Sequence, residues 1–120
     1  MSNITWIPDR QEIIWINFNP QQGREMRDVH PLLVFSPKKF NEKVGIVIGL
    51  PMTTAQYNDT NPFALKFQGS DRKNSYILTH QPKSFDWRQR NAKLHPWKKV
   101  ADDVFTEACE MLNQIMMLVE

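Results

Sequence analysis

A chain of 120 residues, 41% hydrophobic and 23% charged, has the balance of a soluble globular domain with room for one core, so residues 1–120 are read as a single domain. One cysteine excludes an internal disulfide, and no apolar run approaches the roughly 18 residues a membrane span needs. The opening MSNITWIPDRQE lacks a basic stretch followed by an apolar one, so no signal peptide is expected, and the expected compartment is the cytoplasm. The net charge of +2 hides an asymmetry. Asp102, Asp103, Glu107, Glu110 and Glu120 make residues 102–120 purely acidic, and the rest of the chain holds 15 basic against 8 acidic side chains. A body this basic attracts polyanions. Acids also simply favour the first turn of a helix.

In chain order, residues 1–10 form an irregular lead-in. Residues 12–18 (EIIWINF) mix β-branched and aromatic side chains and read as a strand. Residues 19–23 (NPQQG) turn the chain away. Residues 31–36 (PLLVFS) are apolar at nearly every position and read as a strand buried on both faces. Residues 37–43 form a polar turn or short helix. Residues 44–52 (VGIVIGLPM) are a third buried strand, with Gly49 and Pro51 marking a bend or bulge near its end. Thr53 and Thr54 stand at its tip, before a polar loop over residues 55–61.

Residues 63–67 and 75–81 are the fourth and fifth strands. Residues 83–93 are basic with interleaved aromatics, and 91–94 can add a short strand. Asp102 is placed as the N-cap of a closing helix, whose apolar face is Phe105, Ala108, Cys109, Leu112, Ile115, Met116 and Val119. Cys109 is a small core residue in this pattern. The fold class that follows is mainly β with a C-terminal helix, a small closed or half-closed barrel with the helix packed across it.

The candidate chemistry gathers on the stretch 17–37. Its polar loop holds Gly23, Arg24, Glu25 and Arg27, and His30 precedes Pro31, which holds His30 extended at the lip of the next strand. A titratable ring beside two arginines suits acid–base chemistry on an anion, although a solvated loop histidine looks the same in sequence. There is no Gly-rich phosphate loop and no closely spaced cysteine pair. The three histidines, His30, His80 and His95, lack metal-ligand spacing, so no metal and no cofactor is expected.

The succession E-I-I-W-I-N-F-N-P (12–20), G-R-E (23–25), H-P-L-L-V-F-S-P (30–37), F-N (40–41), L-P-M-T-T (50–54), P-F (62–63) and H-Q-P-K-S-F-D-W-R-Q-R (80–90) resembles the MazF/PemK (Kid) family of toxin endoribonucleases. Order and spacing match from about Pro8 to the closing helix. The resemblance implies an SH3-like barrel of the CcdB/PemK type that works as a homodimer. It implies metal-independent cleavage of single-stranded RNA at short sequences, in which the ribose 2′-OH attacks the phosphate and leaves 2′,3′-cyclic phosphate and 5′-OH ends. It also implies an antitoxin with an acidic tail, contact with operator DNA only through that antitoxin, and no membrane partner.

The chain departs from the family at the places where chemistry is expected. His30 stands where the family usually has Arg, His80 where it often has Asp, Gln11 where a Gly is usual, and Leu78 where some members carry a catalytic Arg. The expected catalytic set is therefore His30, His80 and Thr53. Two imidazoles exchange protons with the 2′-OH and the leaving 5′-oxygen, and the Thr53 hydroxyl holds a phosphate oxygen. Arg24, Glu25, Arg27, Thr54, Gln81, Lys83 and Ser84 are the expected substrate contacts. Trp87 is placed in a core or interface, with base stacking as the alternative. Lys98 and Lys99 form a solvated face, and His95 before Pro96 has a structural place. Two other functions fit the same fold: a catalytically silent relative that still binds an antitoxin, and a CcdB-like gyrase poison. The second acts through a C-terminal helix ending in Trp, whereas this chain ends MMLVE.

Overall fold

The computed structural model describes residues 6–18 and 29–117. Among the described residues, seven strands and two α-helices follow in chain order. They are β1 (Glu12–Asn17), β2 (Val29–Val34), α1 (Lys38–Val44), β3 (Ile46–Thr53), β4 (Ala64–Gln68), β5 (Asn74–Leu78), β6 (Lys83–Asp86), β7 (Lys93–Lys99) and α2 (Asp102–Met116). A short 3-10 helix spans Gln56–Thr60. Every strand pairing is antiparallel, in the order β4-β5-β3-β2-β1-β7, with β6 also on β3. The result is an antiparallel half-barrel closed by the C-terminal helix.

Alternation along the strands builds two cores. Ile13, Leu33, Leu50, Met52 and Ile77 point to one face, where Phe105, Ala108 and Leu112 of α2 cover them. Ile14, Ile16, Leu32, Val34, Val47, Phe85 and Trp87 form the other core, against which Trp6 and Phe18 pack. Each fully buried Ile or Leu contributes about 1.5–3 kcal/mol as an upper figure. Gly49 of β3 lies against Leu32 and Leu33 of β2. A Cβ there would lie 2.3 Å from the Leu33 carbonyl oxygen, so only glycine permits this approach.

Several sequence expectations change. The second strand starts two residues earlier, at Val29, and so includes His30. The 37–43 segment is a helix, and the 55–61 loop contains the 3-10 turn. Ile48 of the third strand is exposed rather than buried. Residues 83–86 form a strand not anticipated from sequence, and β7 runs well past residue 94. Pro96 is tolerated there because β7 ends the sheet order, where a missing N–H costs no ladder bond. The N-cap of α2 is Ala101, not Asp102. Asp102 and Asp103 lie in the first turn, and the Asp102 carboxylate accepts a hydrogen bond from the Gln11 side-chain amide at 2.8 Å. Val119 lies outside the described residues. Burial pushes the half-buried Cys109 thiol upward, which suits an unreactive core sulfur.

One polar residue ties the lead-in, α1 and the residue that follows β6 together. Asn41 is fully buried. Its amide donates to the carbonyls of Pro8 (2.8 Å) and Ser36 (3.0 Å), and its Oδ1 accepts from the Ser36 hydroxyl. Its backbone carbonyl accepts from the Trp87 indole N–H at 2.8 Å, which settles Trp87 as a core residue. Replacing Asn41 by Ala leaves two buried carbonyls without donors. The expected loss is about 2–4 kcal/mol of unfolding free energy, read as a lower urea midpoint at unchanged slope.

Candidate functional site

Strands β2 and β3 pair from Val34 opposite Gly49 to Leu32 opposite Pro51. Beyond that point no further β2–β3 pairing is present among the described residues, and His30 and Thr53 both line the cleft that opens there. At that point β3 also holds β5, through Met52 opposite Ile77 and Thr53 opposite Tyr76. A cleft of about 410 Å³ opens between the ends of these strands and β7. Trp15, Pro31, Met52 and Trp97 make its apolar walls. His30, Thr53, Thr54, Asp71, Ser75 and His95 supply the polar groups.

Each polar group has a traceable cause. Alternation sets Pro31 with Trp15 on one face and His30 with Ile16 on the other, so the exposed His30 ring stands at the rim, edge-on to Phe18 at 5.4 Å. Thr53 Oγ1 accepts the Ala55 N–H at 3.1 Å, which leaves its O–H as a donor. The following 3-10 turn is pinned to β5. The Tyr76 hydroxyl donates to Asp59 at 2.6 Å, and Lys66 pairs with the same carboxylate at 3.1 Å. The Tyr76 hydrogen bond first, and Lys66 second, hold the Asp59 carboxyl below the usual range, and the same bond raises the Tyr76 phenol. Trp97 reaches its place because residue 69 is glycine: a Cβ there would fall 1.9 Å from a Trp97 ring atom.

His95 is held from three sides. Its ring stacks on Trp15 at 4.7 Å and meets Trp97 edge-on at 5.0 Å. Its Nδ1 accepts the Trp97 backbone N–H at 3.0 Å, so the neutral ring carries its proton on Nε2. Burial lowers its pKa. From sequence His95 is expected to be structural, and the fold adds a place in the cleft. The signal in the chain was the run His95-Pro96-Trp97, but only the β1–β7 pairing brings it to Trp15 and Thr53.

The remaining expected residues divide into two groups. His80 follows the end of β5, four residues beyond Tyr76, and does not line the cleft. Its ring lies 5.7 Å from Phe63, its Nε2 is 3.2 Å from the Gln81 amide nitrogen, and its buried Nδ1 has no partner among the described residues. Lys83 and Ser84 are exposed on β6 opposite Gly49 and Ile48. The structure thus brings together His30, Thr53 and Thr54, and it sets His80, Gln81, Lys83 and Ser84 along the other edge of β3. Arg24, Glu25 and Arg27 lie outside the described residues. Among the described residues, no three His, Cys, Asp or Glu side chains stand close enough to hold a metal ion, and no helix is long and apolar enough to cross a membrane.

Residues 9–116 match the family described as PemK-like, MazF-like toxin of type II toxin-antitoxin system. The chain belongs to that family, the one its sequence resembles. It is 34% identical over 87 residues to the endoribonuclease toxin MazF of Escherichia coli strain K12, spanning 72% of this chain and 76% of that protein. Its fold matches the crystal structure of MazF (Form-I) from Deinococcus radiodurans with a TM-score of 0.80 and 27% identity, over 95% of this chain and all of that one. The fold also matches a MazE-MazF crystal structure (Form-II) from the same organism, at a TM-score of 0.78 and 24% identity, over 96% of this chain and all of that one.

The lowered His95 pKa makes stability depend on pH in a defined direction. The folded state binds this proton less readily than the unfolded chain does, so the His95 contribution is full above 6.5, the ordinary value, and fades as pH falls through the folded pKa. Urea midpoints measured from pH 8 to pH 5 should fall on the acid side. In His95→Asn that part of the decline should vanish.

Proposed function

We propose that this chain is a sequence-specific endoribonuclease toxin that cleaves single-stranded RNA in the cytoplasm, without a metal, and is neutralised by a cognate antitoxin. The observation that carries the proposal is the juxtaposition of His30 and Thr53 at the rim of a nucleotide-sized cleft, in a chain that belongs to the MazF/PemK family. In the proposed reaction the 2′-oxygen gives its proton to an imidazole and bonds to phosphorus. The bond to the 5′-oxygen breaks, and that oxygen takes a proton from a second imidazole. The products are a 2′,3′-cyclic phosphate and a 5′-OH end. His30 is one of these groups. His80 is proposed as the other, reached from the far edge of β3. The Thr53 hydroxyl donates to a nonbridging oxygen.

Arg24, Glu25 and Arg27 of the β1–β2 connection, with Thr54, Gln81, Lys83 and Ser84, contact the rest of the strand. The basic body favours RNA, and it favours the acidic tail of an antitoxin by the same means. A complex of MazE with MazF is known for the Deinococcus radiodurans relative. Self-association is assigned to an apolar face where two adjoining hollows share Phe35 and Ile48, bordered by Phe40, Leu112 and Met116. Ile48 and Met116 are exposed there.

The test is cleavage of a long single-stranded RNA with product ends mapped. His30→Ala and Thr53→Val should each slow cleavage by about 100-fold or more while the variants remain folded. His80→Ala should cost a similar factor; an unchanged rate would take His80 out of the chemistry. A wild type that binds antitoxin and cuts no RNA would favour the silent relative instead. In a separate measurement, Ile48→Glu should convert a dimer to a monomer in sedimentation analysis, since it would bury a charge in the apolar contact.

A further inference from the structure

We infer that His95 is a base-reading residue, a fixed neutral N–H donor that accepts one unstacked nucleobase into the cleft while the phosphate stays at the His30–Thr53 rim. The inference rests on the RNA-cleaving function proposed above and adds to it a subsite and its chemistry.

The cleft has two characters. Its rim carries His30 and Thr53. Its interior is walled by Trp15, Pro31, Met52 and Trp97, with the His95 ring set between the two indoles. Among the described lining residues there is no lysine or arginine, and the one charged group is the carboxylate of Asp71. An interior of that kind suits an uncharged ring better than a phosphate. Aromatic walls stack a base, the Nε2–H of His95 donates to a base acceptor, and Asp71 accepts from a base amino group.

The donor is fixed in orientation and in protonation. Protonating Nδ1 would turn its N–H against the Trp97 N–H that it now accepts at 3.0 Å, so the ring stays neutral and Nε2 stays a donor. The other ionisable groups lining the cleft are Asp71 and His30, and burial is what lowers the His95 pKa. A donor that cannot become an acceptor discriminates between base edges, because a mismatched edge would face it with another N–H.

Two substitutions separate the donor from the backbone contact. His95→Asn places an amide oxygen where Nδ1 stands. Asn before Pro96 forms an Asx-turn that still accepts the Trp97 N–H, and the donor at the Nε2 position is lost. His95→Gln carries an amide N–H to the Nε2 position. The expected result is that H95N melts like wild type at pH 8, loses on the order of 10-fold in kcat/KM on its preferred RNA word, and relaxes its preference at one position of that word. H95Q should recover a large part of both. A loss equal for every sequence, with a shallower salt dependence, would mean a phosphate contact and would overturn the inference. An H95N enzyme that cuts the same word at the same rate would overturn it while leaving the nuclease function standing.

Quenching of tryptophan fluorescence by a 2′-O-methyl RNA of the preferred word, or of random sequence if wild type cuts nothing, reads the subsite without catalysis. Quenching by wild type that H95N weakens supports the inference even where no cleavage occurs. Equal quenching by both, or none by wild type, overturns it.

Discussion

Strand β3 exchanges neighbours halfway along its length, and the cleft exists because it does. Over residues 46–49 its outer edge is paired by β6, and over 52–53 by β5, while β2 holds the inner edge from Gly49 to Pro51. Beyond Pro51 the recorded pairing with β2 stops although both strands continue, and the space between them becomes the mouth of the half-barrel. Gly49 sits at the tightest point, with Leu33 oxygen in the space a side chain would take, so the sheet closes at one end and opens at the other. The position of Thr53, of His30 and of the turn held by Asp59 and Tyr76 all follow from this exchange.

Charge and recognition are assigned to different parts of the molecule. The basic side chains that give the body its positive balance act over a distance set by salt, and they draw in any polyanion. The described lining of the cleft carries no such cation and is dominated by aromatic and hydroxyl groups. Under the proposed function, long-range attraction is indifferent to sequence and discrimination falls to short-range contacts in the cleft.

The strands that pack two cores were legible because their apolar residues alternate or run together. EIIWINF and PLLVF declare themselves as strands without a partner in view. β6 did not, because Phe85 is its one buried side chain and Lys83, Ser84 and Asp86 read as a turn. The helix after Pro37 was only half legible, since what fixes it is Asn41 reaching Pro8 and Ser36, contacts that no local pattern announces. Of the site, His30 was legible through Pro31 and Thr53 through its place at a strand tip. His95 was not. It stands 42 residues from Thr53 in the chain, and β7 returns it to the cleft by pairing with β1, a closure that only the whole topology fixes.

Histidine stands at the two positions where the family resemblance leads one to expect Arg and Asp. An Arg and an Asp together sum to zero charge, whereas the proton transfers proposed above need one neutral and one protonated imidazole, a sum of +1. A guanidinium cannot give up its proton and a carboxylate seldom holds one, so such a pair works mainly by electrostatic stabilisation. In the proposed reaction the imidazoles instead carry protons, one taking the 2′-OH proton as the other gives its proton to the 5′-oxygen and becomes neutral. Such a site needs a third group whose charge does not follow pH to keep the phosphate oxygens in position. The Thr53 hydroxyl, its lone pair occupied by the Ala55 N–H and its proton free to donate, has that property at any pH the fold survives.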